Sequence, residues 1–386
     1  MPTPPGRWNL ARLQRITTSS HRYIAEVDGL RFIAIFSVML FHVHYAATNI
    51  PSTTLTASPL NILFWPVTNG YRGVELFFVI SGFILGLPFA AHYLTSAPAV
   101  KTGRFYLRRL TRLEPPYILA LLLFYGAAVG LHDIHAQDPN FISGLLLRLG
   151  YAHSIVRGLP PKLDGVTWTL EVEVQFYLLV PLLARIFKLA AAPRRLILVA
   201  AICGAPLLAN IIPRSDLTLP GYIQYFLIGF LLADWHCTRA GAGKFSAQFY
   251  DWLAMAALLA LALTPDVTVF RQLFPWLLAL LFISALRGNW FTAVLRRPVI
   301  ATFGGMCYSL YLLHYPLFSF IAARIITSGV TLPMACLRLG LVGLPMAIGA
   351  GIAYYILIER PCMNPNWPQL VWQNVRRMCG SILKQK

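Results

Sequence analysis

Six side chains place charge or an imidazole in or beside strongly apolar stretches. They are Arg31 and His42 in "RFIAIFSVMLFH", Arg109 and Arg112 in "RFYLRRLTRLEPPY", Glu173 in "WTLEVEVQFYLLVPLL" and His314 in "TFGGMCYSLYLLHYPL". Ionisable groups at membrane depth are expensive, so they pair, line a cavity or carry function. At 1.5 Å per residue His42 lies roughly 16 Å beyond Arg31, past the middle of an apolar layer about 30 Å thick. His314 reaches a similar depth in its own stretch. Glu171 and Glu173 sit about 200° apart on a helix and cannot share a face. Two imidazoles and at least one carboxylate thus converge on one depth from three distant segments. Arg109 and Arg112, at i and i+3, form a guanidinium fork that suits a polyanion such as phosphate or pyrophosphate.

Each feature also has a plainer reading. Either histidine can be a helix–helix hydrogen-bonding group. Glu173 can partner a buried arginine, and Arg31 can snorkel to the headgroups. The fork can serve topology and lipid binding, and Tyr308, Tyr311 and Tyr315 can form an aromatic packing face.

The elements that must position these groups are read from composition. The 386 residues are 57% hydrophobic and 12% charged, with a mean hydropathy of +0.63, more apolar surface than one soluble core can hide. The expected fold is an all-α integral membrane protein with about ten transmembrane helices, near 30–47, 73–94, 115–132, 168–190, 194–212, 219–236, 246–264, 269–288, 302–324 and 332–358. Pro115 and Pro116 are expected to end one helix and start the next. Of the 32 Lys and Arg, 24 fall on one side of this arrangement, which the positive-inside rule makes cytoplasmic, with both termini inside. The net charge of +18 is therefore topology plus attraction to membrane lipids, and no nucleic-acid partner is expected.

The expected organisation is a cytoplasmic N-terminal segment (1–29), one transmembrane domain (30–361) and a cytoplasmic tail (362–386), with no soluble C-terminal domain. No cleavable signal peptide is evident in residues 1–29. Two outer segments are long, 48–72 and 133–167. The second contains "FISGLLLRLGYAHSIV", which reads as an interfacial or re-entrant helix. Cys203, Cys237, Cys307, Cys336, Cys362 and Cys379 show no CxxC spacing and imply neither a disulfide framework nor a zinc site. "VISGF" is not GxSxG, no HExxH occurs, and the His132 and His135 of "LHDIH" fit a solvated loop better than a metal site.

Taken in order, "VDGLRFIAIFSVMLFH", "GVELFFVISGFILG", "FYLRRLTRLEPPY", "WTLEVEVQFYLLVPLL", "YSLYLLHYPL" and "IERP" resemble the acyltransferase type 3 family, from about Tyr23 to Pro361. Glu75 stands where an aspartate is more usual, Phe32 where a small residue is common, and Val174 replaces a frequent second acidic residue. The resemblance implies a bacterial inner-membrane, multi-pass enzyme. It would move an acyl group, usually acetyl, from cytoplasmic acyl-CoA to a hydroxyl of a carbohydrate, free or lipid-linked, such as lipopolysaccharide or exopolysaccharide. Acetyl-CoA or another acyl-CoA would be the co-substrate, without a metal.

Carried over, the family's first-span arginine and histidine are Arg31 and His42, its RxxR pair is Arg109 and Arg112, and its fourth-span glutamate is Glu173. The expected roles are phosphate binding for Arg31, Arg109 and Arg112, and general base for His42. Glu173 would orient that base, and His314 or a tyrosine would meet the oxyanion. A covalent acyl-enzyme on His42 stays open. The competing class is a transporter or flippase for a lipid-linked glycan, with the histidines as a proton relay.

Overall fold

The computed structural model describes residues 23–50, 55–56, 58–131, 137–161, 163–238, 245–265, 267–364 and 366–369. His132, His135, Cys379 and the basic residues expected inside at Arg7, Arg12, Arg15, Arg22, Arg239, Lys244, Arg376, Arg377, Lys384 and Lys386 lie outside them. The described chain is helical, and an isolated bridge between Thr56 and Thr331 is its only β pairing. Setting single turns aside, the helices are α1 (Ala25–Thr48), α2 (Gly73–Thr95), α3 (Thr102–Gly130), α4 (Phe141–Leu149), α5 (His153–Arg157), α6 (Trp168–Leu183) and α7 (Ala191–Ala209). They continue with α8 (Leu219–Thr238), α9 (Ala247–Leu263), α10 (Phe274–Arg287), α11 (Trp290–Leu295), α12 (Pro298–Gly305), α13 (Cys307–Ile325) and α14 (Leu332–Tyr354).

A helix occupies each of the ten expected segments. By length and composition, however, five described stretches are long and apolar enough to cross a membrane, or six if α12 and α13 count as one span. The others fall short for separate reasons. Helices α9 and α10 have 17 and 14 residues. Helix α6 has 16 before it tightens into a 3-10 turn at Ala184–Lys188, and α8 carries Gln224, Asp234 and His236. The stretch read as interfacial or re-entrant forms α4 and α5, nine and five residues long.

Two expectations are corrected. Pro115 and Pro116 do not divide two helices, because α3 runs through both. Proline at 115 deprives the Thr111 carbonyl of its helical donor, and Trp367 supplies another, its Nε1 donating at 2.8 Å. The Tyr354 hydroxyl donates to the Pro116 carbonyl at 2.5 Å. The indole thus satisfies the carbonyl that Pro115 frees, and the helix continues through the prolines. Conversely, the ninth segment is not one straight helix: α12 and α13 meet at 68° across Met306. Gly304 and Gly305 weaken the helix there, and the Glu359 carboxylate caps the new start, accepting from Ser309 N at 3.1 Å and Ser309 Oγ at 2.6 Å.

Helix α1 is the common wall of two apolar clusters. Its Val27, Leu30 and Ala34 belong to one cluster with residues of α2, α6, α8 and α10, and its Ile35, Val38, Met39 and Val43 to another with residues of α3, α13 and α14. Neighbours meet its backbone directly. A Cβ on Gly304 would sit 1.7 Å from the Asp28 carbonyl oxygen, and one on Gly73 2.3 Å from that of Ala34, so only hydrogen fits at either place.

These contacts predict a contrast measurable by thermal unfolding in detergent. Gly304→Ala should destabilise by about 1–3 kcal/mol or more, because overpacking must push α12 off α1. Gly340→Ala, where nothing lies within 4 Å, should be neutral or stabilise by up to about 1 kcal/mol. Equal effects would show that the α1–α12 contact is not tight.

Candidate active site

His42 and His314 meet. The α1 and α13 rings lie 4.9 Å apart between centroids, with His314 Nε2 3.1 Å from His42 Nδ1. The protonation pattern follows from the partners. His314 Nδ1 faces the carbonyls of Leu310 and Tyr311 at 3.0 and 2.8 Å, which only accept, so Nδ1 carries the proton and Nε2 is the acceptor. His42 Nδ1 likewise faces the Val38 carbonyl at 2.9 Å and donates to it and to His314 Nε2. Neutral His42 is therefore left with a lone pair on Nε2. His314 is fully buried, whereas His42 is half-buried among Phe41, Tyr45 and Tyr315.

Glu173 is not part of that pair. Its Oε1 accepts from Ser81 Oγ of α2 at 2.5 Å, and Tyr177 also bonds it. It lines a separate cavity of about 230 Å³ with Arg109, Glu114, Tyr151, Tyr177 and Tyr308. Helix α6 lies at the seam of the two apolar clusters, so its two glutamates serve opposite sides. Glu171, fully buried, turns to the α5 side and accepts from Ser154 N at 2.8 Å.

Of the three expected arginines, Arg109 alone lines this cavity. Its guanidinium lies 3.8 Å above the Phe105 ring and 5.6 Å from that of Tyr177. Arg112 follows one turn later, its buried Nε without a hydrogen-bond partner. Arg31 pairs with Asp28 at 2.5 Å, close enough to Glu173 to feel its charge. A larger cavity of about 930 Å³, bounded by Glu26, Trp235, Arg287 and Arg296, is lined by none of the six expected site residues. Among the described residues no three His, Cys, Asp or Glu side chains are grouped to hold a metal ion.

Several residues were not singled out from the sequence. Tyr151 stands in the left-handed region (φ 52°), stacks on Tyr117 and donates to both oxygens of Glu114 at 3.0 Å. Glu114, the lone carboxylate beside four arginines in "RFYLRRLTRLEPPY", was the available signal; Tyr151 gave none. Nearby, Arg148 and Asp164 are each only 1% exposed. Arg148 Nη2 reaches the Asp164 carbonyl at 3.5 Å. The Asp164 carboxylate approaches the Val166 amide without a bond of normal geometry.

Comparison with known proteins adds to this geometry. A family model described as an acyltransferase domain matches residues 24–358. The chain is 26% identical over 341 residues to YrhL of Bacillus subtilis, provisionally named a peptidoglycan O-acetyltransferase, covering 78% of this chain and 49% of that one. It is 24% identical over 186 residues to the peptidoglycan O-acetyltransferase OatA of Listeria monocytogenes, covering 45% and 26%. A Staphylococcus aureus protein provisionally named an O-acetyltransferase is 27% identical over 184 residues, covering 42% and 25%. The chain thus spans half or less of the length of these relatives. No solved structure matches it.

One titration follows from the site. Burial holds the Asp164 carboxyl up at about 7, against the opposing pull of Arg148 and the Val166 amide. The folded state binds this proton more tightly than the unfolded chain, so the stabilisation is full below the ordinary value of 3.8 and is lost as pH rises through about 7. Thermal stability of the parent protein should fall as pH rises from about 4 to about 7 relative to Asp164→Asn, and then level off. Parallel curves would show that Asp164 does not titrate there.

Proposed function

This chain belongs to the acyltransferase type 3 family, and on that footing we propose that it is a multi-pass membrane O-acyltransferase, moving acetyl from acetyl-CoA to a carbohydrate hydroxyl. The names of its relatives make peptidoglycan one candidate acceptor, beside other cell-surface or exported glycans. Ten spans with both termini inside, in a bacterial inner membrane, fit the helix found in each expected segment and the positive-inside bias. Exposed Leu107, Leu122, Leu182, Leu207 and Leu341 suit a lipid-facing surface.

The observation that carries the reading is the His42–His314 contact. A sugar hydroxyl is a poor nucleophile and needs a base close to neutrality. His314, fixed by two backbone carbonyls, holds His42 in the tautomer that leaves Nε2 able to take a proton. The orienting role expected of Glu173 therefore passes to His314, and the oxyanion role expected of His314 is left to another donor. In the transfer, the acceptor oxygen bonds the acyl carbon as its proton passes to His42 Nε2. The carbon–sulfur bond breaks, and the CoA thiolate then takes up a proton.

Arg109 and Arg112 fit the donor's phosphates: one guanidinium lines the 230 Å³ cavity and the other has an unpartnered Nε. The cavity is too small for the nucleotide, so it suits the narrow pantetheine arm. Glu173 fixes the cavity's shape through Ser81 and Tyr177. Arg31, paired with Asp28, contributes field rather than a free fork.

Two outcomes test this. His42→Ala should lower acyl transfer by about 10²–10⁴-fold while acyl-CoA binding persists, since a base acts on the transition state. The Arg109→Ala, Arg112→Ala double variant should bind acyl-CoA weakly, with lysines restoring only part. Isothermal titration and acyl transfer by the purified protein measure both. A His42→Ala protein that transfers normally would move the base elsewhere. A parent protein that never turns over the thioester would favour the transporter.

A further inference from the structure

Tyr308, Tyr311 and Tyr315 follow one another up a single face of α13, the first and last on different sides of the middle one. Tyr308 lines the Arg109–Glu173 cavity. Tyr315 stands against His42, ring centroids 5.1 Å apart. Tyr311 lies between them and is only 6% exposed. Its ring is flanked by Phe77 of α2 at 6.3 Å and by His314 at 5.7 Å. Its hydroxyl donates to the Val166 carbonyl at 2.6 Å and lies 2.5 Å from Thr169 Oγ1. It feels the charges of Glu173 and Asp164. Thr169 Oγ1 also lies 3.2 Å from the Val166 carbonyl, to which it can donate, so the two hydroxyls and that carbonyl form one closed cluster in which each hydroxyl has a partner for its single proton.

The geometry points to Tyr311 as the gate between donor and acceptor: its hydroxyl, latched to Val166 and Thr169, keeps the acyl thioester away from His42 until an acceptor is in place. This rests on the reading of acyl-CoA as donor and Arg109 as part of its site. The latch is well placed to sense the acceptor. Val166 and Thr169 flank the junction of α6 with the segment carrying Arg148 and Asp164, and Gly165 of that segment lies against the Tyr315 ring, 3.3 Å from where a Cβ would stand. A sugar settling beside Tyr315 and His42 would press on the turn that holds the Tyr311 hydroxyl. Without that coupling His42 would activate water instead. Water oxygen would bond the acyl carbon, the carbon–sulfur bond would break, and free acid and CoA thiol would leave.

The test is partition, because a merely structural defect lowers both outcomes together. Purified parent protein, Tyr311→Phe and Thr169→Val are supplied with acetyl-CoA, with and without a soluble glycan acceptor. CoA thiol release and acetylated glycan are measured in parallel. Both variants should raise the ratio of hydrolysis to transfer roughly fivefold to tenfold, the scale of one lost hydrogen bond. Thr169→Val keeps the tyrosine and the side-chain volume, so it answers the question even if Tyr311→Phe inserts poorly. An unchanged ratio in Thr169→Val, whatever the absolute rates, would overturn the gate and leave the donor reading standing. A parent protein that neither binds nor consumes acetyl-CoA would overturn both.

Discussion

Everything at the candidate site hangs on how closely other backbones approach α1. Gly304 and Gly73 let neighbouring segments touch the carbonyls of Asp28 and Ala34, where any side chain would collide. Among apolar helices in lipid the hydrophobic effect offers little reason to choose one partner over another, so close packing of small residues does the selecting. One contact sets where Asp28 presents Arg31, and the same helix carries His42 farther along. Because α1 walls both apolar clusters, a shift in its position would move the imidazole and the arginine together.

Helix α13 supplies the other half, and its position is set by a break. The bend at Met306 frees the first turn of α13 for Glu359, a carboxylate placed where a helix N-terminus favours negative charge. From that anchored start the helix presents Tyr308, Tyr311, His314 and Tyr315 in succession. A straight helix through 302–324 would aim this face elsewhere. The hinge therefore makes one helix border both the arginine-lined cavity and the histidine pair.

Much of this was legible in the sequence. Hydrophobic runs and charge bias located all ten helical segments, and helical rise alone put His42 and His314 at one depth. The misjudged details depended on partners far away in the chain. Whether Pro115 breaks α3 is decided by Trp367, and whether residues 302–324 run straight is decided partly by Glu359. Glu173 was expected at the depth of the histidines, but helical rise along one segment does not fix which partners a side chain meets. Ser81 and Tyr177 hold it toward the arginines, and neither stands out in a local pattern. Tyr151 was invisible because its role comes from a backbone conformation rather than from a residue type.

The indole of Trp367 has a practical side. It lies beyond the last long helix, yet it completes the backbone of α3 at Thr111, on the turn between Arg109 and Arg112. A truncation made before residue 367, or a purification tag fused tightly there, would read on a hydropathy plot as trimming a dispensable tail. In the folded protein it would strip the donor from a proline-containing helix, on the turn that carries Arg109 and Arg112. Expression designs are better served by carrying the chain past this tryptophan.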